Sequence, residues 1–127
     1  MPSSAWTAAA CKSLGLTTSD LAEIGGVTDR QAQRWMKGHP LPEDMIQSLS
    51  DIANDVEVVC ERIIARIEAG GNQIVCYRNN EDIRADNAMP ARGRAAGGFA
   101  GAFLVAAFNA LENADEAAEL VFSDDDD

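Results

Sequence analysis

Residues 16–38 read LTTSDLAEIGGVTDRQAQRWMKG, and their order of caps, glycines and apolar anchors decides how the chain is built. Thr17, Thr18 and Ser19 each offer a hydroxyl able to cap a helix. Asp20 and Glu23 follow in the first turn, where the helix dipole favours acids. Leu21, Ala22 and Ile24 supply an inward face. Gly25-Gly26 breaks this helix, and Gly26 suits a turn with positive φ, where a Cβ would be costly. Thr28 caps a second helix that ends near Gly38. Val27, Ala32 and Trp35 are its apolar anchors; Ala32 and Trp35 stand three apart and so share a face. Ala22 falls where the two helices cross, a place that excludes a larger side chain. The combination predicts a helix-turn-helix.

The face opposite the anchors carries Arg30, Gln33, Arg34 and Lys37, with Thr28 and Asp29 at its N-terminal tip. A helix of this kind fits the major groove of DNA. Arginine bonds guanine O6 and N7 in bidentate fashion and glutamine reads adenine, so Arg30, Gln33 and Arg34 are the expected base contacts, Arg30 first. Thr28 with the first-turn amides, Lys37 and His39 are the expected phosphate contacts. Each has a plainer reading. The charged face could be a solvated side of an amphipathic helix, and Arg30 could pair with Asp29 or Glu23, a surface pair of small energetic consequence. Trp35 is expected in the core rather than as a stacking platform.

The chain holds 10 basic and 21 acidic residues, a net charge of -11. The acids are concentrated late. Residues 1–50 hold four bases and five acids, whereas the remainder holds six bases and sixteen acids. Between Thr28 and Lys37 the balance is three bases to one acid. Exposed charges farther apart than about 8 Å are largely screened at physiological salt. A locally basic helix can therefore meet phosphate on an acidic protein.

A length of 127 residues with 46% hydrophobic content allows one compact domain or two small ones with a real core. Cys11, Cys60 and Cys76 are odd in number and far apart, which points to a reducing cytoplasm rather than a disulfide framework. They show no metal-ligand spacing, and His39 is the sole histidine. No metal or cofactor is expected. With no phosphate loop and no nucleophile beside a base, neither is enzymatic activity. No basic stretch followed by an apolar run marks a secretory signal. Residues 95–111, AAGGFAGAFLVAAFNAL, are uncharged but shorter than the roughly 20 residues that a membrane span needs, and read as a buried helix.

Around the central motif, Ser3 or Ser4 caps a first helix with Trp6, Ala10 and Leu14 on one face, and Gly15 stops it. Pro42, Glu43 and Asp44 open a helical stretch that runs to Ala69. Its stripe is Met45, Leu49, Ile52, Val56, Val59, Ile63 and Ile67, in steps of three and four. Asn54-Asp55 could divide it in two. Gly70-Gly71-Asn72 ends it. Residues 73–77, QIVCY, form a β-prone run, residues 81–85 a short helix, and residues 118–122 a last strand beside the first. Residues 91–112 read as a helix burying Phe99, Phe103, Leu104, Ala107, Phe108 and Leu111, with Gly97, Gly98 and Gly101 weakening its propensity. Residues 124–127, four aspartates, are expected to be disordered.

Leu14-Gly15-Leu16-Thr17, Leu21-Ala22, Gly26-Val27-Thr28 and Arg34-Trp35 with Gly38 make the first half resemble the Xre/Cro-like helix-turn-helix domains. Thr18 or Ser19 stands where a glutamine is common, and Met36 replaces the usual acid after the tryptophan. The whole layout also resembles the two-domain phage anti-CRISPR-associated (Aca) autorepressors, through VEVVCERIIARIEAG at 56–70, IVCYRN at 74–79, Glu81-Asp82-Ile83 and Ala85-Asp86-Asn87. This likeness implies a homodimer in the cytoplasm of a bacterial host cell that represses its own anti-CRISPR operon from an inverted repeat, with the alternative that it also binds its own message RNA. The residue-by-residue match again falls on Arg30, Gln33 and Arg34.

The expected fold is mainly α with a small α+β C-terminal part: a helix-turn-helix bundle at 1–55, a dimerisation domain with two short strands at 56–123, and an acidic tail at 124–127. The expected partners are double-stranded DNA and a second copy of the chain, not a membrane. Dimerisation is assigned to Val56, Val59, Ile63, Phe99, Phe103 and Phe108, against the alternative that these side chains are buried within one chain. The rival functional class is an antitoxin-type or other protein-interaction module that also carries a helix-turn-helix.

Overall fold

The computed structural model describes residues 4–86, 89, 94–114 and 116–123. In chain order it contains α1 (Ser4–Ser13), α2 (Thr18–Gly25), α3 (Asp29–Met36), α4 (Glu43–Glu68), β1 (Gln73–Cys76), α5 (Asn80–Ala85), a 3-10 turn at Ala95–Gly98, α6 (Ala100–Asn113) and β2 (Glu119–Phe122). The fold is therefore mainly α with a small β part near the C-terminus, as the sequence predicts. The chain divides into two compact units, Met1–Ala53 and Asn54–Asp127, with the division inside α4. The expected tail at 124–127 lies outside the described residues.

In the first unit, local chemistry sets the helix ends. Of the three hydroxyl candidates, Thr17 caps α2. Its Oγ1 accepts from the Asp20 amide at 3.0 Å, and its own amide donates to Asp20 Oδ2 at 3.0 Å. This reciprocal box satisfies two amides that the helix cannot serve internally. Gly26 closes α2 at φ 65°, and the Val27 amide donates back to the Ala22 carbonyl at 3.0 Å. Gly15, at φ 69°, does the same for α1. The buried stripe of α1 differs from expectation. Thr7, Cys11 and Leu14 are buried, while Trp6 is 38% exposed. Positions 6, 10, 14 and 7, 11, 14 are both helical stripes sharing Leu14. The one with the slimmer side chains faces the core, and Trp6 and Ala10 instead line a shallow groove with Leu49 and Ala53.

The second unit begins with the remainder of α4. Val56, Val59, Ile63 and Ile67 are all buried, as the spacing predicts. Asn54-Asp55 does not break the helix. Asp55 turns inward, with 7% of its side chain exposed, and accepts from Arg94 Nε at 2.6 Å in an ion pair. A helix interior accepts an aspartate whose carboxylate is engaged in this way. Gly70, at φ 108°, ends α4, and the Gly71 amide donates to the Arg66 carbonyl at 3.0 Å. β1 and β2 then pair in parallel, in the register Gln73↔Glu119 to Cys76↔Phe122. Parallel pairing requires a crossover, supplied here by α5, the 3-10 turn and α6.

That crossover is pinned at several points. Asn79 caps α5 by accepting from the Asp82 amide at 2.9 Å. Asn80 Oδ1 accepts the Ala100 amide at 2.8 Å, and Arg84 Nε donates to the Gly98 carbonyl at 2.8 Å with its guanidinium over the Phe99 ring. Tyr77 packs edge-on against Phe103 and its hydroxyl donates to the Asp86 carboxylate. Burial, reinforced by Asp86, pushes that hydroxyl well above the usual tyrosine range. Burial also raises the Cys76 thiol to about 11.

Two expectations for this region need correction. The helix expected over 91–112 starts only at Ala100, after a separate 3-10 turn; Gly97 and Gly98 are poor helix formers, and residues 91–93 lie outside the described residues. Phe99, Phe103 and Ala107 are buried as expected, but Leu104 and Leu111 are half-buried and Phe108 is 53% exposed. Ala100, Ala102, Ala106 and Ala110 complete the inner face instead. The dimerisation assignment changes with this. Val56, Val59, Ile63, Phe99 and Phe103 are spent on the core of their own chain, where none is more than 9% exposed. A buried side chain cannot meet a second copy. Of the six, Phe108 alone is displayed.

Candidate nucleic-acid interface

α3 is eight residues long and amphipathic. Thr28 caps it, its Oγ1 accepting from the Gln31 amide at 3.2 Å. The other first-turn amides have no partner inside the helix, as at any helix N-terminus, and favour an anion there. The inner side is held by Ala32, fully buried, and Trp35, 4% exposed. Burial excludes Trp35 as a stacking platform and confirms it as an anchor. Ala22, 4% exposed, lies on α2 where α3 packs. Val27, the third expected anchor, is half-buried.

Gly25 has a role that the sequence reading missed. A Cβ there would stand 2.9 Å from Trp35 Cη2 and 3.1 Å from Met45 Sδ. The indole therefore rests on bare backbone. The doubled glycine was the available signal. One positive-φ turn needs one glycine, and Gly26 supplies it, so the second glycine answers to space.

The outer side of α3 gathers the expected base contacts. Arg30, Gln33, Arg34 and Lys37 are all exposed and fall at positions i, i+3, i+4 and i+7, one face of a helix. Among the described residues, none of the four side chains engages an ion-pair or hydrogen-bond partner. The surface pairing of Arg30 with Asp29 or Glu23 is not formed. Thr28 and Asp29 are exposed at the N-terminal tip. His39 is tied to the other end, where its amide and that of Lys37 both donate to the Arg34 carbonyl at 3.1 Å. Gly38, at φ 125°, makes that return possible. α3 and its C-cap Lys37 thus display two guanidiniums, a carboxamide and an ammonium, with the helix held from behind by a packed indole. Such a face can donate to base edges and to phosphate oxygens together.

Other chemistry is sparse. Cys11, Cys60 and Cys76 are free thiols, and burial is the largest cause raising each of them above the usual thiol range. Among the described residues, no group of His, Cys, Asp or Glu side chains is placed to hold a metal ion. No helix among them is long and apolar enough to cross a membrane. No protein-family model matches this chain and no curated protein matches it, so α3 and its exposed face are what speak for function.

Proposed function

We propose that the chain is a homodimeric transcriptional repressor that binds an inverted repeat in double-stranded DNA and acts by occupying a promoter. The observation that carries this reading is the exposed face of α3, with Arg30, Gln33 and Arg34 outward and Ala32 and Trp35 buried behind them. α3 enters the major groove, Arg30 and Arg34 donate to guanine, and Gln33 reads adenine. Thr28, Lys37 and His39 hold phosphates and set the register. Two copies engage half-sites about 10 bp apart or a multiple of that spacing. The resemblance to the anti-CRISPR-associated autorepressors adds the regulated unit, an anti-CRISPR operon that includes the repressor's own gene.

The test starts from an operator selected out of random duplexes by the full chain. Arg30→Ala should then lose about 1–3 kcal/mol of specific affinity in a gel shift and relax selectivity at one base pair. Lys37→Ala should weaken all sequences alike and lower the salt slope by about 1. An Arg30→Ala protein that holds the selected operator as tightly as the parent removes Arg30 from base readout. Failure to enrich any duplex removes the repressor reading itself.

A further inference from the structure

α6 carries no charge from Ala100 to Leu111, and its apolar residues continue around the whole helix. The inner face is Ala102, Phe103, Ala106, Ala107 and Ala110, all fully buried. The outer face is Gly101, Leu104, Phe108 and Leu111, half-buried except for Phe108, which is 53% exposed. A helix that is apolar all round belongs in an interior, so the protomer leaves one side of α6 uncovered.

The pattern of the outer face names its occupant. Gly101, Leu104, Phe108 and Leu111 are spaced three, four and three apart, the spacing of a seam between two packed helices. That spacing is symmetric about Ala106. When a second α6 lies antiparallel across the first, Gly101 meets Leu111 of the second copy, and Leu104 meets Phe108 of the second copy. Each close contact therefore pairs a smaller with a larger side chain. The same alignment brings Glu112, the first charge on the helix, to the N-terminus of the second α6 at Ala100, where the helix dipole favours a carboxylate. A two-fold interface must be complementary to itself, and this face is so in size and in charge.

We propose that a second copy of the chain docks on the outer face of α6, antiparallel and centred on Ala106, with Phe108 as the main buried anchor. This rests on the dimeric reading above and gives it a surface. α6 then serves two cores: the alanine-rich side lets the protomer's own elements approach closely, and the Gly-Leu-Phe-Leu side joins the copies.

Sedimentation equilibrium of the full chain at micromolar concentration tests this. The parent should be a dimer. Phe108→Glu should be a monomer with unchanged helical circular dichroism, because Phe108 is displayed in the protomer. Its dissociation constant should rise by at least about thirtyfold, as for a buried aromatic anchor. A size exchange fixes the alignment independently of Phe108: Gly101→Leu should weaken the dimer, and adding Leu111→Ala to it should restore the dimer. A monomeric parent, a dimeric Phe108→Glu protein, or no recovery in the double variant each overturns the proposal. The DNA reading fails separately, through the operator selection. A chain that dimerises through another surface can still enrich an inverted repeat.

Discussion

A methyl group added at Gly25 meets Trp35 at 2.9 and 3.0 Å and Met45 at 3.1 Å, whereas at Gly26 it meets nothing within 4 Å. The two neighbours are thus sensitive to the same substitution for unrelated reasons. At Gly25 the indole must move, and overpacking of this kind costs about 1–3 kcal/mol. At Gly26 the space is free but φ is 65°, which an L side chain tolerates at roughly 1 kcal/mol. Gly25→Ala should lower the urea midpoint and alter the fluorescence of Trp35, since it displaces the ring that anchors α3. It should weaken operator binding for the same reason, although no DNA contact is touched. Gly26→Ala should lower the midpoint with the indole environment unchanged. Identical fluorescence changes in both variants would show that Gly25 is only a turn residue. Arg30, Gln33, Arg34 and Lys37 were legible as single residues because a helix face follows from spacing alone. The role of Gly25 was not, because it depends on which atom of a distant ring arrives above it.

The ends of α2 to α5 were equally legible, since caps act within three residues, whereas α6 starts later than expected. Thr17, Thr28 and Asn79 each hold the amide three positions on, and the glycines that close α1, α2 and α4 have positive φ. Faces were harder to assign. In α4 the alternation of apolar and charged residues leaves one possible inner stripe, and that stripe is buried. In α6 every side is apolar, so periodicity carries no direction, and Phe108 was assigned inward when alanines occupy that side. Asp55 failed for a different reason. Its partner lies 39 residues away, beyond any local pattern. The pair ties α4 to the segment that leads into the 3-10 turn, and its energetics are asymmetric. Arg94→Ala leaves a carboxylate with 7% of its surface exposed and without its ion pair, which should cost about 2 kcal/mol of unfolding free energy. Asp55→Asn combined with Arg94→Ala should recover part of that loss, because the buried charge that lost this ion pair is gone. Denaturation midpoints of the single and double variants measure it. A double variant as unstable as Arg94→Ala alone would mean that the arginine contributes packing rather than charge.

Across the whole molecule the charge is divided between the units, nearly balanced over residues 1–50 and strongly acidic over the remainder. The pairing of β1 with β2, with all of α5 and α6 between them, was expected from two short β-prone runs, though no local signal gave its register or its parallel direction. On the proposed function, the division of charge bears on binding to the operator and to bulk DNA alike. Nonspecific affinity is almost wholly electrostatic, whereas operator affinity adds base contacts that charge elsewhere does not touch. An acidic half then lowers both, and nonspecific binding has no base contacts to offset the loss. Asp124–Asp127 contribute four of the 21 acids and no other group. Deleting them should tighten binding to random duplex by roughly threefold to tenfold at low salt. The effect should vanish near 1 M salt, where the screening length falls to about 3 Å. Operator affinity should rise by a similar factor, because the same repulsion adds to both binding free energies. Fluorescence anisotropy with both duplexes across a salt series gives the two slopes. Parallel slopes for the parent and deleted chains would show that these aspartates lie beyond electrostatic reach of the DNA.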